Sequence, residues 1–231
     1  MRKTTWAIGI LAGALVLGTS MAYADGSEVG KWGVGLNGGF NTHSMSDFNT
    51  LSAADWNGAA ISTGEQAGID VKYRIVENWL AGIEGNYLFV GNSTSQGGGE
   101  TTKANLDATE ILLDGSYIFP SVAQGLDLRI GVAVGMLMLT GADIATTGDY
   151  YSGTTDLSGS GFDGKVFIGG DYYFNPSLSL GLDLGYRYAA ASPITAKGGG
   201  SSSTWQNSAG KDQSVDYSGF NSQLELTWWI Q

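Results

Sequence analysis

The chain has 231 residues, with 37 glycines, 3 prolines and no cysteine, and its formal net charge is -11. The lack of cysteine excludes a disulfide scaffold and a thiolate metal site, and 42% hydrophobic residues with 7 Trp, 11 Tyr and 8 Phe exclude a disordered chain. The glycines keep no three-residue period, which excludes collagen. Because the negative charge repels phosphodiesters, nucleic acid is not an expected partner.

The first 24 residues have the composition of an export signal. Arg2 and Lys3 precede an apolar stretch over 6–17, and small residues at 22 and 24 provide the cleavage pattern of signal peptidase. The apolar stretch is shorter than the roughly 20 residues of a bilayer span, which argues against a transmembrane anchor. We therefore predict a signal peptide over 1–24, cleaved after Ala24, and a mature domain over 25–231.

From residue 32 onwards, apolar residues alternate with polar or small ones. In the first segment, Trp32, Val34 and Leu36 are separated by glycines. This period of two is typical of strands with one apolar face. The same alternation predicts eight strands, over 32–40, 67–75, 79–89, 111–119, 126–138, 162–174, 178–188 and 220–230. They exceed the 5 to 6 residues usual for soluble strands.

The connections between these strands alternate in length. Short ones lie at 76–78, 120–125 and 175–177, whereas those at 41–63, 91–105, 141–161 and 189–217 are long and rich in Gly, Ser, Thr and Asn. Loop tips at 97–99 and 198–203 are expected to be mobile. Strict alternation of short turns and long loops is typical of an outer-membrane barrel.

Aromatic residues provide an independent indication. They collect at both ends of the predicted strands, as two membrane-interface girdles around an aliphatic band would require. The girdle at the short-turn end comprises Trp32, Trp79, Tyr117, Phe119, Tyr172, Phe174 and Trp228. The girdle at the long-loop end comprises Phe40, Tyr87, Phe89, Phe162, Tyr186, Tyr188 and Phe220.

The predicted mature chain resembles the small eight-stranded outer-membrane barrels of the OmpA, OmpX and OmpW type. The resemblance implies an all-β, antiparallel, up-and-down transmembrane barrel that is monomeric and carries no cofactor or metal. It also implies outer-membrane lipids, lipopolysaccharide and the barrel-assembly machinery as partners. Such chains usually end in an aromatic residue, whereas this one ends in Gln231, so the match to the assembly signal is partial.

The inward face of the predicted barrel is charged. Nine acids and five bases point inward: Asp70, Lys72, Arg74, Glu84, Glu110, Asp114, Asp127, Arg129, Asp163, Lys165, Asp171, Asp183, Arg187 and Glu225. One interpretation is a plug of ion pairs, since eight strands enclose little more than their own side chains. The other is a narrow path that prefers cations, because acids exceed bases and inward glycines leave room.

The resemblance to OmpW adds passage of small hydrophobic molecules from the lumen into the bilayer. Five inward apolar residues are candidates to line such a path: Leu80, Leu88, Leu112, Leu137 and Phe167. Apolar filling of a closed interior is the favoured interpretation, because side chains alone fill a barrel of this size.

An enzymatic function would have to use His43, the only histidine. Outer-membrane barrels that modify lipid A use a histidine with serine or acidic partners, and His43 lies beside Ser44 and near Asp47. We predict instead a solvated loop histidine in a protein that is not an enzyme, because no orienting partner can be named.

The predicted loops carry eight acids: Asp47, Asp55, Glu100, Asp143, Asp149, Asp156, Asp212 and Asp216. Divalent ions bridging them to lipopolysaccharide phosphates are one interpretation, and a solvated acidic surface is the other. The sequence thus predicts an outer-membrane barrel with a structural or surface-interaction role, or with a narrow solute path.

Overall fold

In a computed structural model, the protein is described over residues 31–51, 59–97, 100–148, 152–206 and 210–230. The predicted signal peptide and Gln231 lie outside these residues. The long strands are β1 (Trp32–Thr42), β2 (Thr63–Val76), β3 (Trp79–Phe89), β6 (Ala108–Ala123), β7 (Leu126–Leu139), β10 (Ser160–Asn175), β11 (Leu178–Ala191) and β15 (Gly219–Ile230). The shorter elements are α1 (Ser46–Leu51), β4 (Asn92–Gly97), β5 (Glu100–Asn105), β8 (Ala142–Gly148), β9 (Ser152–Ser158), β12 (Thr195–Gly198), β13 (Ser201–Thr204) and β14 (Val215–Asp216).

The eight long strands close into a barrel. They pair antiparallel in the order β1-β2-β3-β6-β7-β10-β11-β15, and β15 pairs back with β1. Trp32 of β1 therefore lies opposite both Tyr73 of β2 and Ile230 of β15. Closure removes the free strand edges that hydrocarbon does not tolerate. The prediction of an eight-stranded antiparallel barrel is confirmed.

The barrel wall has the reverse polarity of a soluble protein. Outward side chains in mid-strand are apolar and more than half exposed, with Ile69 at 61%, Val132 at 56% and Ile168 at 61%. Their inward neighbours Asp70 and Lys165 are charged and buried. An apolar exterior around a polar interior is the arrangement that a lipid environment stabilises. Over the described residues, no helix is long and apolar enough to cross a bilayer.

One end of the barrel has tight turns. β2 and β3, β6 and β7, and β10 and β11 are joined at 77–78, 124–125 and 176–177. The second turn is shorter than the predicted 120–125, because β6 continues to Ala123 with a register shift after Phe119.

At the other end, three of the four long connections form further strands. β4–β5, β8–β9 and β12–β13 are hairpins that pair into a six-stranded sheet, which we call the loop-end sheet. The sequence did not predict these strands, including those at the tip over 198–203, where Gly198 pairs with Ser201 across Gly199 and Gly200. Both central glycines have positive φ, 58° and 81°, as a tight hairpin requires. These Ser- and Thr-rich strands lack the apolar alternation that identified the barrel strands.

Candidate functional site

The structure places all fourteen predicted interior charges on the inward face of the barrel. Thirteen are at most 7% exposed, and Asp114 is half-buried. Burial of a charge destabilises a protein unless a partner compensates it, so the pairing of these groups determines what the interior can do.

Arg129 is the centre of the ion-pair network nearer the short turns. One Nη atom lies 2.9 Å from Asp183 Oδ2 and 3.6 Å from Glu225 Oε2, and Nε lies 3.4 Å from Asp171 Oδ2. Glu225 also accepts a hydrogen bond from the ammonium of Lys72. Two bases and three acids from five strands are thereby tied together across the lumen.

A second network lies nearer the loop-end sheet. Arg187 donates to Glu110 Oε1 at 2.8 Å and to Gln66 Oε1 at 3.1 Å. Lys165 contacts Glu84 Oε2 at 2.9 Å. Each base of the two networks contacts at least one acid, so the bases interrupt the row of acids that an ion path would require.

Phe167 stands between the two networks. The guanidinium carbon of Arg129 and the ammonium nitrogen of Lys165 each lie 5.7 Å from the centre of its ring. At this distance a cation is attracted to an aromatic ring. Phe167 therefore fills the middle of the lumen and stabilises both cations.

At the short-turn end, Arg74 and Asp127 join the lumen to the turns. Their closest polar atoms are 3.4 Å apart, and Arg74 Nε donates to the main-chain oxygen of Glu77 at 3.0 Å. Asp127 accepts from the main-chain N–H of Ser121 at 2.8 Å. Each member of the pair is therefore also hydrogen-bonded to the main chain at the short-turn end.

Inward glycines make room for the acids. Four aspartates lie over a glycine directly opposite on a neighbouring strand, and a Cβ on that glycine would collide with the carboxylate. The pairs are Asp70 with Gly35, Asp114 with Gly82, Asp183 with Gly169, and Asp171 with Gly181. The space beside each of these glycines is filled by the opposite aspartate, so the glycines do not widen a channel.

An apolar cluster lies below the charged interior, at the short-turn end. It comprises Leu80, Ile118, Tyr173 and Trp229, each at most 6% exposed. The indole N–H of Trp229 donates to Ser179 Oγ at 2.9 Å, which satisfies its polar atom. We call this the turn-end cluster.

A larger apolar cluster covers the charged interior at the opposite end. Helix α1 contributes Phe48, whose ring contacts that of Trp205 at 6.4 Å in an edge-on arrangement. Asn49 holds the helix in place through two hydrogen bonds of 2.9 Å to the main chain of Ile61. We call this the loop-end cluster, with buried members Met45, Phe48, Ile61, Leu88, Val90, Ala104, Leu106, Ala108, Leu137, Ala142, Leu157, Ala189, Ala191, Ile194, Val215 and Tyr217.

The five inward apolar candidates are buried but divided. Leu88 and Leu137 belong to the loop-end cluster, and Leu80 belongs to the turn-end cluster. Leu112 and Phe167 lie among the charges between them. The five therefore do not form one apolar lining.

His43 is buried, at 5% exposure, and the prediction of a solvated loop histidine was wrong. Its main-chain N–H donates to Ser62, and its ring lies edge-on to Tyr217, 5.7 Å between centres. Nδ1 is 3.4 Å from the main-chain oxygen of Tyr217, and among the described residues Nε2 has no partner. Burial lowers the pKa of His43 to about 4. No carboxylate orients the ring by a hydrogen bond within the described residues, as a catalytic histidine would need.

All fourteen predicted girdle residues stand on the outward face. At the short-turn end, Tyr117 contacts Trp79 and Phe119, with ring centres 5.4 and 5.0 Å apart. Tyr73, which the sequence reasoning did not assign to a girdle, contacts Trp32 at 4.7 Å. Its position at the end of the apolar face of β2 is the sequence feature that could have assigned it to the girdle.

The acids of the long connections are dispersed. Asp55 and Asp149 lie outside the described residues. Asp143 and Asp156 are opposite each other on β8 and β9, and Asp212 accepts a hydrogen bond from Gln206. In the described part of the chain, no group of three His, Cys, Asp or Glu residues is arranged to hold a metal ion.

A closed antiparallel barrel with an apolar exterior, aromatic ends and a charged interior defines an integral outer-membrane β-barrel. Residues 10–223 match the family model of the outer membrane protein β-barrel domain, and the chain belongs to this family. The resemblance to small eight-stranded outer-membrane barrels is thereby confirmed, and membership implies the bacterial outer membrane as its location.

Solved structures of outer-membrane proteins are similar to this chain. OprG, an outer membrane protein of Pseudomonas aeruginosa, is similar with a TM-score of 0.50 and 14% identity, over 90% of this chain and 99% of OprG. The N-terminal barrel of OprF from the same organism has a TM-score of 0.45 and 9% identity, over 87% of this chain and 98% of that domain. No curated protein matches the sequence significantly.

Proposed function

We propose that the protein is a non-conducting outer-membrane barrel with a structural or surface-interaction role. The observation that carries this proposal is a buried apolar cluster at each end of the charged interior, the turn-end cluster on one side and the loop-end cluster on the other. The five basic side chains of this interior each contact an acid, which keeps them in fixed positions across the lumen. The loop-end sheet is then the part offered to the outside of the cell.

The same proposal includes the route and surroundings of the protein. The segment 1–24 directs export, the barrel-assembly machinery inserts the mature chain, and the barrel works as a monomer among outer-membrane lipids and lipopolysaccharide. It has no enzymatic activity, in keeping with the buried position of His43.

Two alternatives have less support. A cation path requires an uninterrupted row of acids along the lumen, whereas Lys72, Arg129 and Lys165 lie among the acids and each contact one. Passage of hydrophobic molecules through the wall requires a break between strands. Over the described residues each long strand pairs with a neighbour on both sides.

Single-channel recording of the refolded mature protein in a planar bilayer tests the proposal. We expect no discrete conductance, with folding verified by heat-modifiable gel mobility. Discrete cation-preferring steps that weaken in Asp127→Asn and Glu225→Gln would overturn it and make transport the leading function. Steps that are unaltered in both variants would also contradict a closed lumen and would place the path elsewhere.

A further inference from the structure

Three buried polar side chains on neighbouring strands have atoms without partners. Asn37 of β1 is 7% exposed, and Asp70 of β2 and Asn86 of β3 are 2% exposed. Among the described residues, both amide atoms of Asn37, both carboxylate oxygens of Asp70 and Oδ1 of Asn86 accept or donate no hydrogen bond. Buried polar groups of this kind destabilise a protein unless something binds them.

The strand register brings the three groups to the same part of the wall. Gly68 of β2 lies opposite Asn37 on one side and opposite Asn86 on the other. Asn86 Oδ1 lies over Gly68 and is thus directed towards β1. The Asp70 carboxylate lies over Gly35, two residues before Asn37 on the same inward face.

Existing hydrogen bonds fix which atoms remain available. The Nδ2 group of Asn86 donates to Glu110 at 2.6 Å and also to Glu84, so its Oδ1 atom is the one turned towards Asn37. Lys72 Nζ is 3.7 Å from Asp70 but donates its hydrogen bonds to Glu225. The site therefore presents a carboxylate and amide oxygens that lack a donor.

Oxygen ligands without donors are suited to a hard cation. One carboxylate with two amides carries a single negative charge, whereas protein sites for divalent calcium use several carboxylates. Asp70 also lies directly opposite Glu84, which Lys165 contacts at 2.9 Å, whereas the ammonium of Lys72 lies 3.7 Å from Asp70 and donates to Glu225. The fourteen predicted interior charges comprise nine acids and five bases, and the acids remain in excess when the buried Lys31 is added, so an additional positive charge reduces the imbalance.

We propose that Asn37, Asp70 and Asn86 bind one alkali-metal cation, Na⁺ or K⁺, inside the barrel. The cation joins β1, β2 and β3 through oxygen ligands and neutralises Asp70. It is a resident structural ion in a closed interior, so binding is expected without conductance.

Equilibrium dialysis of the folded protein in detergent, with radioactive sodium or rubidium as the probe, tests the site. We expect about one ion per chain, and we expect Asp70→Asn and Asn37→Ala to weaken binding by at least about tenfold, the equivalent of 1.4 kcal/mol. The matched controls are Asp156→Asn and Asn92→Ala, exposed residues of the loop-end sheet that should bind as the wild type does.

Thermal unfolding provides a second readout that does not depend on one variant folding well. At equal ionic strength, the wild type should unfold at a higher temperature in sodium or potassium chloride than in choline chloride, because the bound ion stabilises the folded state. This difference should disappear in Asp70→Asn, or in Asn86→Ala if Asp70→Asn does not fold. No stoichiometric ion in the wild type, or binding unaltered by Asp70→Asn and Asn37→Ala, would overturn the proposal and leave internal water as the occupant.

Discussion

Arg187 of β11 and Glu110 of β6, 77 residues apart in sequence, form a 2.8 Å ion pair beneath the loop-end cluster. Both side chains are at most 1% exposed. The pair joins strands that are three places apart around the barrel and belongs to the network that lies nearer the loop-end sheet. Removing one partner of such a pair destabilises the protein, because the other charge would remain buried without a partner.

The first prediction concerns this pair. Arg187→Met should lower the free energy of unfolding by about 3 to 5 kcal/mol, because Glu110 is left buried and uncompensated. Urea titration of the protein in lipid vesicles, followed by tryptophan fluorescence, measures the change. The double variant Arg187→Met with Glu110→Gln should recover part of the loss. A double variant no more stable than the single one would argue against a direct coupling.

The second prediction concerns the glycines beneath the aspartates. Gly169→Ala should destabilise the barrel by about 1 to 3 kcal/mol, because its Cβ would displace Asp183 from Arg129. Gly85→Ala is the matched control, since its Cβ would meet nothing within 4 Å. The same urea titration measures both. Equal effects of the two substitutions would show that Asp183 does not depend on the space at Gly169.

The third prediction concerns the pH dependence due to His43. Its pKa is about 4 in the folded protein and 6.5 ordinarily, so between these values the unfolded chain binds a proton that the folded chain does not. The resulting stabilisation is complete above pH 6.5 and decreases as the pH falls towards 4, by at most about 3 kcal/mol, at 1.4 kcal/mol per pKa unit.

Urea unfolding of wild type and His43→Gln at several pH values isolates this contribution from that of the other titrating groups. The variant should lose less stability than the wild type between pH 6.5 and 4. Arg187, Asp216 and Glu110 are the charged groups that act on His43, and they are present in both proteins. Identical pH profiles would show that folding does not lower the pKa of His43.

The fourth prediction tests the position of the membrane. Val132 lies in the middle of β7 and faces outward, so Val132→Arg should cost about 2 to 4 kcal/mol in a bilayer. Thr147→Arg, on an exposed position of the loop-end sheet, should have little effect. Unfolding in lipid vesicles measures both. A similar cost at the two positions would contradict a bilayer centred on the aliphatic band.

The sequence by itself determined the barrel and the side of the wall on which each side chain lies. A strand with one face in lipid and the other in a polar interior must alternate with a period of two, and that pattern is legible in residues such as Ile69, Asp70 and Val71. Alternating short and long connections then gave the up-and-down topology. The aromatic positions followed because rings concentrate at the two interfaces.

Only the tertiary structure decided how the interior is closed. Lys72 donates a hydrogen bond to Glu225, 153 residues away in sequence, and Arg129 donates one to Asp183, 54 residues away. These partners are determined by the strand register and by closure of the barrel, and not by spacing along the chain. The loop-end sheet has no apolar alternation from which its strands could be predicted. His43 is buried by Gly64 of β2 and by Tyr217 of the last long connection. Because both are distant from His43 in sequence, the residues next to it in the chain did not predict its burial.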